Sequence, residues 1–235
     1  MRVVILAGGK GTRLAPYTTV LPKPLMPLGD MPVLELLLRQ LRHHELTDVT
    51  IAVGHLASLI MAYFGDGARW GLKIDYSMES APLGTAGPLG LIDGLTDPFL
   101  VLNGDLLTDL DFSAMIAAHD KVGGIGTIGL HRREIQIQLG VVELDGADRV
   151  SRYVEKPSYS YLASMGVYVL SSRVLRFIPP GERFDLPALV GAMVDAGEHV
   201  TAFEHRGYWL DIGQAADYAK AQEDFAAIRN RLLRD

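Results

Sequence analysis

The sequence predicts an α/β protein, a Rossmann-like mixed and mainly parallel sheet flanked by helices. Three observations carry this. Arg2 to Ala7 (RVVILA) is almost continuously β-branched and apolar, as expected of a strand buried on both faces of a parallel sheet. Strand-like and helix-like runs then alternate as far as Ala118, the order of a βαβ series. A glycine-rich, proline-rich stretch, Leu6 to Asp30 (LAGGKGTRLAPYTTVLPKPLMPLGD), follows the first strand directly.

Taken in order, Pro16, Pro22, Pro24 and Pro27 keep the residues after the first strand out of regular helix, and so long a loop is usually functional. Helix is expected from Pro32 to His44, where Leu34, Leu37, Leu38 and Leu41 fall at i, i+3, i+4 and i+7. Strand Val49 to Val53, helix Ala57 to Phe64, strand Leu72 to Ser77, helix Thr85 to Ile92, strand Phe99 to Leu102 and helix Phe112 to Ala118 continue the alternation. Gly123 to His131, Gly140 to Leu144, Val150 to Glu155 and Ala163 to Leu170 read as four strands with little helix between them, and so as antiparallel additions to the sheet. Helices at Ser172 to Ile178 and Pro187 to Ala196, a short strand near His199 to Phe203 and a final helix from Gln214 to Leu233 complete the order. The last helix carries Tyr218, Ala221, Phe225, Ile228 and Leu232 on one side, so it is expected to dock.

A chain of 235 residues, 49% hydrophobic, can bury one large core, and 1–235 is expected to form a single domain. It has no cysteine, which excludes disulfides and thiolate metal sites and leaves hard cations on oxygen as the default. The net charge of −6 argues against broad binding to nucleic acid or anionic membrane, and the positive charge of Lys10, Arg13 and Lys23 is therefore local. Val3 to Ala7 is too short for a signal-peptide core or a bilayer span, so a cytoplasmic location is expected. The seven histidines show no ligand spacing.

The glycine loop suits phosphate, since bare backbone N–H groups can approach an anion while Arg13 and Lys23 supply charge from its two ends. It is not a P-loop, because Gly9-Lys10 is followed by glycine and no glycine stands five residues earlier. Nor is it a dinucleotide fingerprint, since Leu14 occupies the third glycine position and Pro16 opposes the helix that should open there. Asp105 follows an apolar strand, where open α/β sheets place ligands, and Asp111 reads as the cap of the helix beginning near Phe112.

LAGGKGTRL, a spacer and then Pro22-Lys23-Pro24 resemble the signature of the sugar-1-phosphate nucleotidylyltransferases, or NDP-sugar pyrophosphorylases. PLGTAGPL (82–89), NGDLL (103–107), GVVE (140–143), VEKP (154–157), GVYVL (166–170) and YWLDIG (208–213) stand in that family's order. The overall look is similar to its mannose-1-phosphate and heptose-1-phosphate guanylyltransferase branch. The resemblance implies the nucleotide-diphospho-sugar transferase fold, with no C-terminal β-helix domain expected. It implies that an NTP and a sugar-1-phosphate yield an NDP-sugar and pyrophosphate. A non-catalytic regulatory homologue that binds nucleotide sugar is the alternative, and retention of Arg13, Lys23, Asp105 and Asp211 argues against it.

Residue by residue, the resemblance implies that Leu6, Ala7, Gly8, Gly9, Gly11 and Thr12 meet the nucleotide, with Pro82, Gly84 and Thr85 beside it. Arg13 and Lys23 are the expected catalytic cations, Arg13 on the departing pyrophosphate and Lys23 on the reacting phosphates. Asp105 and Asp211 are the expected holders of Mg2+, and Asn103, Gly140, Glu155, Lys156 and Ser164 the expected sugar-phosphate side. Ser164-Met165 replaces the Asn-Ala or Asn-Gly pair of many relatives, which leaves the sugar open. Glu79 is the candidate base reader, because one carboxylate can accept both N1–H and N2–H of guanine, and GTP is thereby favoured over dTTP, UTP, CTP and ATP. A homo-oligomer is left open.

Overall fold

A computed structural model describes residues 1–233. Its strands are β1 (Arg2–Ala7), β2 (Pro27–Leu28), β3 (Met31–Pro32), β4 (Asp48–Val53), β5 (Lys73–Met78), β6 (Phe99–Asn103), β7 (Leu106–Thr108), β8 (Gly126–Gln136), β9 (Gly140–Leu144), β10 (Val150–Glu155), β11 (Ser158–Leu170), β12 (Val200–His205) and β13 (Trp209–Asp211). Its α-helices are α1 (Val33–His43), α2 (Ala57–Phe64), α3 (Phe112–Val122), α4 (Leu186–Asp195) and α5 (Ala215–Leu232). The central sheet runs β12-β8-β11-β6-β1-β4-β5. β1 pairs in parallel with β4 and β6, β4 with β5 and β12 with β8, while β11 is antiparallel to both β6 and β8. The α/β prediction therefore holds.

The apolar patterns explain the layers. Leu34, Leu37, Leu38 and Leu41 of α1 are all buried, and they join Val3, Ile5, Val49 and Ile51 in a core on one face of the sheet. Val4, Phe99 and Val101 point to the other face, against Leu186, Leu189 and Met193 of α4. A third cluster lies under α5, whose Ala221, Phe225, Ile228 and Leu232 are buried as its spacing implies. Tyr218 and Gln222 of α5 both donate to the Pro27 carbonyl, at 2.6 and 2.7 Å, which docks the helix on the β2–β3 hairpin.

Several expected elements differ. Thr85 to Ile92 is not an α-helix: only a 3-10 turn forms at Gly87–Leu91, because Gly87, Gly90 and Pro88 disfavour helix in the segment and the Ala86 and Gly87 N–H groups donate to the Phe184 carbonyl instead. Ser172 to Ile178 is likewise a 3-10 segment, Ser172–Phe177. The long loop contains three 3-10 turns and the β2–β3 hairpin. Of the four runs expected to extend the sheet, only β8 and β11 join it, while β9 and β10 pair with each other as a separate two-stranded hairpin. Among the described residues no helix is long and apolar enough to cross a membrane.

Candidate active site

The parallel register brings three strand ends to one edge, since Leu6 lies opposite both Asn103 and Ala52, and Ala7 opposite Val53. Open α/β sheets take ligands at that carboxyl edge. Gly8 leaves β1 there and its carbonyl accepts the His55 N–H at 3.2 Å. A side chain at this position would displace Glu79. A Cβ on Gly8 would run into the Glu79 carboxylate and come within 3.6 Å of the Gly54 nitrogen, and a Cβ on Gly54 would lie 2.9 Å from the Gly8 oxygen. Glu79 follows β5, and its Oε2 accepts the Leu83 N–H at 2.9 Å. Burial pushes its carboxyl above the ordinary range, and the Leu83 N–H opposes that shift.

The loop then folds back on itself. Gly11 adopts φ +61°, its carbonyl accepts the buried Thr18 hydroxyl at 2.8 Å, and a Cβ on it would sit 2.9 Å from Thr18 Cγ2 and 3.5 Å from Lys23 Cβ. Lys23 is thus set beside Gly11. Pro22 and Pro24 are buried on either side of it, and its Nζ forms an ion pair with Asp105 Oδ2. The pair is largely buried, at 13% and 21% side-chain exposure, which is unusual for a loop lysine. Gly9, Thr12 and Arg13 remain exposed.

Two short strands bring together carboxylates that lie far apart in the chain. β13 pairs antiparallel with β7, placing Asp211 opposite Leu106, and the Ile212 N–H donates to the Asp105 carbonyl at 3.2 Å. Asp211's carboxyl is held above its usual range first by burial and then by the Asp105 charge, while Lys23 and Arg13 pull it down. Arg13, Lys23, Asp105 and Asp211 therefore act as one electrostatic group. Asp217, which the sequence reading missed, belongs beside them: a Cβ on Gly213 would lie 3.3 Å from its Oδ2 and 3.8 Å from both Arg13 Nη1 and Asp211 Oδ2.

Asp105 Oδ1 is buried without a hydrogen-bond partner. A buried unpartnered carboxylate oxygen, facing a second carboxylate that already resists ionising, suits a hard divalent cation. Among the described residues no cluster of three or more acidic or histidine ligands forms. Two carboxylates alone leave most of the shell of Mg2+ to water and substrate oxygens, which is how that ion is commonly held at phosphate sites.

The sugar-side candidates form a second group. β11 runs antiparallel to β6 with Val167 opposite Leu102, so its residues before Gly166 extend beyond the edge where Asn103 ends β6. Gly166 adopts φ +72° beside an irregularity in β11, and a Cβ there would strike the Asn103 amide. Ser164 is exposed and its hydroxyl lies 2.9 Å from that of Tyr168. Farther out, Gly140 pairs with Glu155 across β9 and β10, and the Tyr153 hydroxyl donates to Glu155 Oε2 at 3.1 Å over Gly140. Lys156 follows at φ 45° and is exposed.

Thr85 is tied into the protein instead of presented. Its N–H donates to Asp185 Oδ1 at 3.0 Å and its hydroxyl accepts the Leu186 N–H at 2.7 Å, while Gly84, at φ +79°, leaves no room for a Cβ against Phe184 and Asp185. Pro82 is exposed. Asp111 caps α3 as expected, accepting the Ala114 N–H at 2.9 Å.

Asp109 is structural. Its carboxylate accepts the Tyr208 N–H at 2.6 Å, lies 2.9 Å from His205 Nε2 and pairs with Arg231 of α5. The Arg231 and Tyr208 donors keep its carboxyl below the ordinary range despite burial. Asp109→Ala is expected to cost about 2 kcal/mol, a fall of roughly 4–8 °C in Tm by calorimetry, because it leaves the Tyr208 N–H and the His205 ring without their acceptor, while the exposed Arg231 contributes little. Ligand affinities of the surviving fold are expected to be unchanged.

The chain matches a protein-family model described as nucleotidyl transferase over residues 2–227. It is 36% identical over 255 residues to a UTP–glucose-1-phosphate uridylyltransferase of Synechocystis, covering all of this chain and 64% of that protein. It is 37% identical over 226 residues to the zebrafish (Danio rerio) mannose-1-phosphate guanylyltransferase catalytic subunit beta, covering 93% of this chain and 62% of that one. It thus spans under two thirds of the length of these curated relatives. Among solved structures, HddC from Yersinia pseudotuberculosis complexed with GMP-PN superposes with a TM-score of 0.72 at 26% identity, covering 95% of this chain and 99% of that one.

Proposed function

The chain belongs to the nucleotidyl transferase family, and from that premise we propose that it transfers a nucleoside monophosphate, GTP being the favoured donor, to a sugar-1-phosphate with release of pyrophosphate. The observation that carries this reading is the group formed by Arg13, Lys23, Asp105 and Asp211 at the mouth of a glycine loop. An oxygen of the sugar phosphate attacks the α-phosphorus, the bond to the α,β-bridging oxygen breaks, and pyrophosphate leaves with the bonding electrons. Both reactants are anions, so positioning and charge compensation do most of the work.

In this reading the backbone of Gly8, Gly9 and Gly11 lies along the nucleotide, and the exposed Arg13 grips the departing pyrophosphate with its planar fork. Lys23 is already held at the reacting centre by Asp105 and turns to the phosphates when they arrive. Asp105 and Asp211 would hold Mg2+, which when bound offsets phosphate charge. Glu155 accepts from sugar hydroxyls, Lys156 meets the sugar phosphate, and Asn103 and Ser164 border the sugar.

Glu79 supports the choice of guanine, because a half-buried carboxylate against Gly8 can accept N1–H and N2–H together while one of its oxygens also takes the Leu83 N–H. Burial makes it a weaker acid than an ordinary glutamate, which gives the sign of a pH effect: the carboxylate is lost as pH falls through a value above the usual ~4.3 for glutamate. KM for GTP is therefore expected to climb over that acid limb, and Glu79→Gln to flatten both the limb and the preference for GTP over UTP. An unchanged profile in the variant would remove Glu79 from base recognition. The donor itself is tested with GTP, UTP, CTP, dTTP and ATP against a panel of sugar-1-phosphates, reading pyrophosphate release. The uridylyltransferase relative makes UTP the competing outcome.

A further inference from the structure

Nine of the eighteen large apolar side chains exposed among the described residues lie between Ile135 and Leu162, on the arm formed by β9, β10 and the outer parts of β8 and β11. Leu139 is 71% exposed, Val150 64% and Tyr153 63%. Scattered exposed apolar residues need no explanation, but this many on one projection do. In the β9–β10 ladder, directly paired residues share a face, so Val142 with Tyr153 and Leu144 with Val150 make an apolar stripe running outward from Gly140 and Glu155.

Two further observations bear on what covers it. The β9–β10 hairpin is a sheet of its own with both outer edges unpaired, and an isolated two-stranded hairpin is marginal in water without something packed on it. Its charges also balance. From Arg132 to Arg152 there are four cations (Arg132, Arg133, Arg149, Arg152) and four acids (Glu134, Glu143, Asp145, Asp148), in a chain whose net charge is −6. In a two-fold contact a patch meets a copy of itself, so a neutral patch of mixed sign can pair where the acidic remainder of the surface would repel.

We propose that the arm packs against the arm of a second copy of this chain, forming a two-fold dimer. Val142, Leu144, Val150 and Tyr153 expose on the order of 400 Å2 per copy at about 100 Å2 for each side chain, about half of the ~800 Å2 that a standard interface takes from each partner, which matches the apolar share of such interfaces. The apolar stripe forms the centre of the contact and the mixed charges its rim.

Sedimentation of the wild-type chain at about 100 μM, above the micromolar constants of the weaker interfaces of this size, is expected to give a dimer. The double variant Leu144→Asp, Val150→Asp changes only exposed residues at the end of the hairpin and is expected to sediment as a monomer with an unchanged far-ultraviolet spectrum. Because the chain lacks cysteine, Leu144→Cys alone is expected to cross-link into a covalent dimer on oxidation, while Val194→Cys on the exposed side of α4 is not. A monomeric wild type, or a dimer that survives the double aspartate change, overturns the proposal. Equal cross-linking at Leu144→Cys and Val194→Cys would do the same.

Discussion

Lys23→Met is expected to lose roughly a thousandfold in turnover, with every NTP and sugar-1-phosphate that the wild type accepts. A preorganised donor aimed at developing charge in a partly dry site contributes on the order of 10²–10³ in kcat, and an ammonium at a phosphate stands at the upper end. The same change has a consequence that does not depend on activity. Lys23 compensates Asp105 in the substrate-free protein, so its removal leaves Asp105 and Asp211 facing each other without it. The variant should therefore melt lower than wild type in the absence of metal and bind Mn2+ more tightly in the absence of nucleotide, read by the paramagnetic effect on water relaxation. A variant with near-normal turnover would remove Lys23 from the reaction. Weaker Mn2+ binding than wild type would remove the competition between ammonium and cation.

Asp211→Asn is expected to abolish turnover and its dependence on Mg2+ while raising the Tm of the metal-free protein by roughly 2–4 °C, the shift that about 1 kcal/mol gives a chain of this size. Burial and the Asp105 charge hold the native carboxyl above its ordinary value, so between the unfolded value near 3.9 and that raised value the native state binds more protons than the unfolded state. Metal-free stability accordingly falls as pH rises through this window, and Asp211→Asn removes the fall. Asp105→Asn makes the opposite change in stability, because it leaves the largely buried Lys23 without its partner. Both variants are expected to be inactive. Their opposite melting shifts distinguish a strained functional pair from two ordinary structural aspartates.

The sheet was legible because β1, β4 and β6 are buried on both faces and can contain little but branched apolar residues. Helix α1 was legible from four leucines at 3.6-residue spacing. Segments whose shape is set by distant partners were not. PLGTAGPL has the apolar content of a helix, yet it is held in a 3-10 turn by the Phe184 carbonyl and by Asp185, a hundred residues away from Thr85. β7 and β13 are three residues each, too short to show a period, although their pairing is what brings Asp211 to Asp105. The positions of Gly54 against Gly8 and of Asp217 beside Arg13 are likewise products of tertiary packing. A glycine directly after the strand ending at Val53 was the one local sign of the first.

The most direct test of the account follows each phosphorus through the reaction. The chain is incubated with Mg2+, a sugar-1-phosphate and GTP labelled either at the α-phosphate or at the γ-phosphate, and the products are separated. Nucleotidyl transfer predicts that α-label appears only in a nucleotide sugar, that γ-label appears only in pyrophosphate, that Lys23→Met forms both about a thousandfold more slowly and that Asp211→Asn forms neither. Binding of both ligands with no transfer of α-label from any of the five NTPs, or γ-label in inorganic phosphate or on the sugar, would contradict it.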